Sequence, residues 1–324
     1  MRHHRILVIG GSGFVGRHLV AALAAAGVEV TVPTRRRERV KHLIVLPTVD
    51  VIEGDVADPK SLARLASGHD AVINLVGVLH SRRGRANERG PNDYGPDFAR
   101  AHVEIAQAAV AACRATGIRR LLHMSALGAA TDARSEYLRS KGIGEQAVLA
   151  AEDLAVTVFR PSVIFGPDDA FLNSFAKLAA LLPVLAIPCP QARLQPVYIG
   201  DVVRAFVAAL DDPAANGQRY DLGGPRVYTL IELVRLVCAA TARRRLVVGL
   251  PDWASYLQAW LMEALPVPLM TRDNLRSMQV PNVCEGSIFP FGIVPSALEI
   301  AMPGWLMPAR PRARFAQLRQ RAHR

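Results

Sequence analysis

Apolar positions along this chain follow two patterns that take turns. The short unbroken run of branched residues Ile6-Leu7-Val8-Ile9 has the composition of a parallel strand buried on both faces, and further short runs rich in apolar residues recur between stretches of helical period. The runs predict strands at Val28 to Val32, Val49 to Glu53, Ala71 to Leu75, Arg120 to Met124 and Ala155 to Arg160. The periodic stretches predict helices over Val15 to Ala26, Phe98 to Thr116, and Ser135 to about Ala151. Strand and helix alternating across short connections specify an α/β fold with a doubly wound parallel sheet.

Beyond residue 165 the alternation loosens. Asp201 is placed to cap a helix running to Leu210, and Thr229, with Glu232 following, opens another that reaches Thr241. Trp253, Tyr256, Leu257, Trp260, Leu261 and Leu265 share one broad helical face close to Pro266-Val267-Pro268-Leu269-Met270. The economical reading is an ordinary core helix. The alternatives are an apolar wall for a hydrophobic substrate such as an isoprenoid quinone, or a surface for membrane or partner contact.

Composition narrows the class. With 51% of 324 residues apolar, the chain can bury a substantial core. Met1 to Arg5 superficially imitates the start of a signal peptide, but the apolar run after it stops in glycines and reads as the first strand. Leu178 to Ile187 is broken by Pro183, and Trp253 to Met270 holds Glu263, Pro266 and Pro268, so no membrane span is expected. Cys113, Cys189, Cys238 and Cys284 lie far apart with no metal-like spacing, which predicts reduced thiols, no metal site and a cytoplasmic setting. The formal charge of +11 is gathered in Arg35-Arg36-Arg37, Arg82-Arg83-Gly84-Arg85, Arg243-Arg244-Arg245 and the tail from Arg310 to Arg324. The first reading of these runs is a solvated basic surface, with phosphates or anionic lipid as alternatives. No aromatic residues interleave with them, so nucleic acid is not an expected partner, and the arginine tail would assist lipid binding by charge attraction.

The chemistry starts where the first strand ends. Gly10, Gly13 and Gly16 follow it at the spacing of a dinucleotide-binding turn. Gly10 turns the chain tightly, Gly13 clears the approach of a pyrophosphate, and Gly16 lets the next helix pack close. The free amides and positive end of that helix then hold the phosphates. About twenty residues on, where an NAD site carries an acid for the ribose, stand Arg35 and Arg36, whose guanidinium groups suit a 2′-phosphate. NADP(H) is therefore the expected cofactor, with NAD(H) the alternative. Asp55 and Val56 end the third strand, where the Asp55 carboxylate can accept from an adenine amino group or cap the segment at Asp58-Pro59. Leu75, Val76 and Gly77 end the fourth, where a small residue admits a cofactor. His80 to Pro96 reads as a polar lid loop beside that mouth.

Ser125 ends the fifth strand, and Tyr137 and Lys141 share one face of the following helix. An ammonium near a phenol favours the phenolate and can hold ribose hydroxyls, so the tyrosine can shuttle a proton while the serine holds the substrate oxygen.

Gly10-x-x-Gly13-x-x-Gly16, Asp55, Ser125, Tyr137-x-x-x-Lys141 and Arg160-Pro161-Ser162-Val163-Ile164-Phe165-Gly166-Pro167 resemble the extended and atypical short-chain dehydrogenase/reductases. Tyr137 to Lys141 and Ile164 to Phe175 are similar, more narrowly, to bacterial relatives of the NADPH-binding accessory subunit of mitochondrial complex I. The resemblance implies Gly10, Gly13, Phe14 and Gly16 on the pyrophosphate, Arg35 on the 2′-phosphate, Asp55 and Val56 at the adenine, and Lys141 and Pro161 near the nicotinamide ribose. It also implies a Rossmann domain over residues 1–165, a smaller C-terminal lobe over 166–308 interleaved with the last sheet strands, and a basic tail at 309–324 expected to lack order. In that mitochondrial subunit the cofactor is viewed as structural, so the pattern is compatible with three roles. These are an oxidoreductase acting on a small carbonyl or quinone-like substrate with Ser125, Tyr137 and Lys141, a non-catalytic accessory protein of a respiratory complex at the inner face of a membrane, and a sugar-nucleotide epimerase or dehydratase.

Overall fold

The computed structural model describes residues 2–82, 93–264, 270–286 and 288–306. Seven strands form one parallel sheet: β1 (Arg5–Ile9), β2 (Glu29–Thr34), β3 (Val49–Glu53), β4 (Ala71–Asn74), β5 (Arg120–Met124), β6 (Ala155–Pro161) and β7 (Gln218–Leu222). Their spatial order is β7-β6-β5-β4-β1-β2-β3. The chain moves outward in one direction from β1 and returns to β4 on its other side, so the strand order reverses between β1 and β4. A crevice opens there, beyond the carboxyl ends of the two strands.

Both faces are covered, which is why the central strands β1 and β4 are apolar along almost their whole length, whereas the outer strands β3 and β7 carry polar residues. Helices α1 (Phe14–Ala25) and α6 (Ile199–Asp211) pack together on one face, burying Leu19, Leu23, Val202 and Phe206. On the other lie α2 (Pro59–Ala66), α3 (Ile105–Thr116) and α4 (Glu136–Leu149), with Leu62, Ala109 and Val148 in the core. Local chemistry sets the ends of these helices. Asp58 caps α2 by accepting from the amides of Lys60 and Ser61 ahead of Pro59, and Ser135 caps α4 by accepting from Leu138 N. The predicted Phe98 to Thr116 helix is continuous from Pro96, but its stretch Ala99–Glu104 is wound as a π-helix.

The C-terminal lobe has its own core, in which α5 (Phe171–Leu181) and α7 (Leu230–Ala240) bury Leu172, Leu230, Leu233 and Val234 with Leu185 and Ile187. Thr229 and Glu232 form the expected capping box of α7. A parallel ribbon of Val184–Ile187 with Leu246–Gly249 and the helices α8 (Asp252–Met262) and α9 (Arg272–Met278) complete it. Residues 197–222 return to the main sheet as α6 and β7, so the two parts are interwoven rather than strung in sequence.

Asp201 does not cap α6. Tyr198, in extended conformation, is the N-cap residue, and Asp201 sits inside the first turn. Its buried carboxylate accepts from Ser296 N and Oγ and from Arg204, tying a segment 95 residues away to this helix.

Candidate functional site at the carboxyl ends of β1, β4 and β5

The glycine turn has the geometry expected of it. Gly10 has φ +83°, and a side chain there would strike the backbone of Leu75 and Val76 at 3.1 Å. A side chain on Gly16 would sit 2.3 Å from the Gly10 carbonyl, so this position sets how close α1 comes to the turn. Gly13, by contrast, faces open space apart from the Gly10 oxygen at 3.3 Å, and no side chain caps α1. The turn thus presents an uncapped helix start beside an unobstructed glycine, a fit for a pyrophosphate. Phe14 stands next to it, edge-on to His18 and beneath Gly166.

Arg35 and Arg36 are exposed just past the end of β2. Asp55 and Val56 follow β3, and the charge of Arg35 reaches Asp55. The Asp55 carboxyl is held below its usual range first by the Ala57 amide and then by Arg100, whose Nη2 lies 2.9 Å from Oδ2. Asp58, not Asp55, caps the helix that follows; Asp55 forms a short turn with Ala57 and an ion pair with the start of the π stretch.

At the other end of the crevice, Lys141 is 2% exposed and donates to the carbonyls of Val76 at 3.1 Å and Met124 at 3.0 Å. Burial lowers its ammonium to about 8, with Glu145 opposing the shift. Gly77 makes room for this ammonium, since a Cβ there would lie 3.1 Å from Nζ. Met124 precedes Ser125, which is 3% exposed and whose hydroxyl has no hydrogen-bond partner among the described residues. An orphaned buried hydroxyl is costly, and one at the mouth of a crevice is satisfied most simply by a ligand oxygen. Pro161 is buried at the end of β6, its carbonyl accepting from Leu127.

Tyr137 lies one turn before Lys141. Burial pushes its phenol up to about 12, so it is protonated at neutral pH, and the expected lowering by Lys141 is not what governs it. Its ring stands edge-on to His102 at 5.5 Å and to Phe98 at 6.1 Å.

His102, on the π stretch, is a site residue that the sequence pattern did not single out. Its Nε2 accepts from Val78 N at 3.1 Å, which leaves Nδ1–H to donate to Ser140 Oγ at 2.7 Å, and Ser140 donates to the Tyr137 carbonyl. Burial, reinforced by the Lys141 charge, holds this imidazole well below its ordinary range, hence neutral. The signal was a histidine where helical spacing from Phe98 and Ala106 asks for an apolar residue. Asp273 was also missed: it begins α9 of the C-terminal lobe, and its carboxylate accepts from Glu136 N at 2.7 Å and Tyr137 N at 3.0 Å. The lobe thereby caps the helix that carries Tyr137 and Lys141.

Among the described residues no group of three or more His, Cys, Asp or Glu is placed to hold a metal, the four thiols are free, and no helix is long and apolar enough to cross a membrane. Positions 83–92 of the expected lid, Leu265 with the Pro266 to Leu269 segment, and the tail lie outside the described residues.

A model of the NAD dependent epimerase/dehydratase family matches residues 6–223. The mouse mitochondrial protein called NADH dehydrogenase [ubiquinone] 1 alpha subcomplex subunit 9 is 30% identical over 90% of this chain and 77% of its own. A ceramide reductase of Caulobacter vibrioides is 32% identical over 76% of this chain and 74% of its own. Among solved structures, the Bordetella bronchiseptica enzyme WbmH in complex with NAD+ shares the fold with a TM-score of 0.65, at 20% identity over 94% of this chain and 97% of that one.

Proposed function

We propose an oxidoreductase role for this chain, which belongs to the NAD dependent epimerase/dehydratase family. The substrate is a carbonyl or quinone-like compound, and the cofactor is a nicotinamide dinucleotide, NADP(H) in preference to NAD(H). The observation that carries the reading is the buried, partnerless Ser125 hydroxyl beside the carbonyl that holds the Lys141 ammonium. Gly10, Gly13, Phe14 and Gly16 would hold the pyrophosphate, Arg35 and Arg36 the 2′-phosphate, Asp55 and Val56 the adenine, and Leu75, Val76, Gly77 and Pro161 the walls of the crevice. When bound, the nicotinamide supplies or accepts the hydride. Ser125 orients the substrate oxygen by donating to it. Tyr137, protonated at neutral pH, is the group that gives that oxygen a proton, which favours the reductive direction. Lys141 would hold ribose hydroxyls and supply the positive charge that favours Tyr137 as it becomes phenolate. A relative named ceramide reductase supports both the reaction class and a hydrophobic substrate.

The likeness to a subunit of a respiratory enzyme favours one second reading, a bound cofactor with a supporting role in such a complex. Fluorescence of bound NADPH, followed on addition of short-chain quinones and a carbonyl panel, separates the two. Oxidation that falls about 10²–10⁴-fold in Tyr137→Phe, with NADPH still bound, is the expected result. Tight NADPH that survives every acceptor, or turnover indifferent to Tyr137→Phe, removes the catalytic reading.

A further inference from the structure

Helix α8 is turned opposite to the usual sense. The residues it buries are Ser255 and Ala259, while Trp253, Trp260 and Leu261 are 72%, 53% and 56% exposed, with Tyr256 and Leu257 on the same outer side. A core helix would have the tryptophans inward and the serine outward. The inward side is fixed by specific bonds: Ser255 Oγ accepts from Cys189 N and donates to Pro251 O, and Gln258 donates to Ala186 O on the neighbouring ribbon. The ribbon continues the apolar surface, since Val184, Leu246 and Val248 point outward, and Leu181 and Leu182 precede it, also exposed. So many large apolar side chains exposed on a helix and on the ribbon it bonds to mark an interaction site rather than scatter.

Charge identifies the partner. Where the ribbon's second strand begins, a shallow groove is lined by Arg235, Arg243, Arg244 and Arg245 together with Leu246. Arg235 and Arg244 are exposed along it, whereas Arg245 is spent on the Ala179 carbonyl and Arg243 has its Nη1 buried. On α8 itself, Glu263 is paired with Arg272, leaving Asp252 as the acid at its first turn. Tryptophan and tyrosine mixed with leucine, edged by arginine, is the composition of a surface at the boundary between lipid headgroups and acyl chains. A second copy of this chain is a poor occupant, because a two-fold contact would bring two arginine grooves together.

We propose that the outer face of α8 and the adjoining ribbon dock on an anionic lipid bilayer, the aromatic residues entering the interface and the arginine groove meeting phosphate headgroups. The docked face is mechanically close to Tyr137. Arg272 of α9 bonds Glu263 and the Tyr256 hydroxyl, and the next residue, Asp273, caps α4.

The test is co-flotation of the full chain with vesicles of equimolar phosphatidylglycerol and phosphatidylcholine, against phosphatidylcholine alone, with tryptophan emission recorded in parallel. The expected result is flotation and a blue shift on the anionic vesicles only, reversed by salt. Trp253→Ser with Trp260→Ser should lower partitioning about tenfold or more, and Leu257→Ser with Leu261→Ser should do the same independently. Both pairs are exposed, so an unchanged melting curve separates lost docking from lost folding. A chain that stays at the bottom of the gradient with anionic vesicles overturns the proposal. So does flotation indifferent to both double substitutions, or a dimer in light scattering that either double substitution dissolves.

Discussion

Helices α4 and α8 each break the rule that apolar residues go in and polar ones stay out, and they break it in opposite directions. Helix α4 buries Lys141, Ser140 and Glu145, while α8 exposes two tryptophans and two leucines. The difference lies in where the cost is offset. Each of these three groups has partners within the chain: Lys141 has two carbonyls, Ser140 bonds both His102 and Tyr137, and Glu145 pairs with Arg160 at 2.8 Å. The exposed face of α8 has no such compensation in the described chain. One inversion is offset within the chain and the other is open, which is what distinguishes an internal site from a surface that needs a partner.

The comparison can be broken hardest at Glu145. Arg160→Met removes the closest cation from a buried carboxylate and leaves Arg219, at 3.6 Å, as its remaining ion-pair partner among the described residues, with Lys141 acting on it through charge alone. The expected loss is about 3–5 kcal/mol of unfolding free energy, read by urea denaturation; a loss near zero would show the pair to be incidental.

A smaller effect should come from Lys141. Its ammonium is lowered from 10.5 to about 8, so between these values the unfolded chain holds more protons than the folded one, and stability rises with pH. The burial cost is felt in full below pH 8 and is gone above 10.5. Tyr137, raised from 10.0 to about 12, acts in the opposite sense above pH 10. The difference in urea midpoint between the wild type and Lys141→Met should therefore climb as pH passes 8 toward 10. A flat difference would mean that no charged lysine is buried there.

The smallest effect belongs to α8. Trp253→Ser or Leu261→Ser should alter unfolding free energy by no more than about 0.5 kcal/mol, although each deletes a large apolar side chain. A loss several times larger would place these residues in a core and remove the contrast.

The sheet was legible because a strand covered on both faces reads as an unbroken apolar run, as at β1, and the bounds expected for β3 and β5 from their branched residues coincide with those observed. Other boundaries moved by a residue or two, as at β2, because the apolar run says nothing of where ladder bonds stop. The glycine turn was legible for a related reason: only glycine satisfies the positive φ at Gly10 and the contact at Gly16. Helical spacing correctly grouped Trp253, Tyr256, Leu257, Trp260 and Leu261 on one side. It could not say that the other side, with its small Ser255 and Ala259, would be the one to pack. Asp273 and the true role of Asp201 were beyond local reading, since each carboxylate serves backbone amides about a hundred residues away or more.

The π-wound stretch Ala99–Glu104 carries a consequence for how such a site can be gained or lost. A π turn is an α turn with one residue too many, and each residue advances a helix by about 100°. Deleting Val103 or Glu104, the residues between His102 and α3, is expected to relax the stretch toward regular α-helix and to turn His102 by about 100° away from Ser140 and Tyr137. The placement of His102 beside Ser140 and Tyr137 thus depends on the length of this stretch as well as on the residues that touch it.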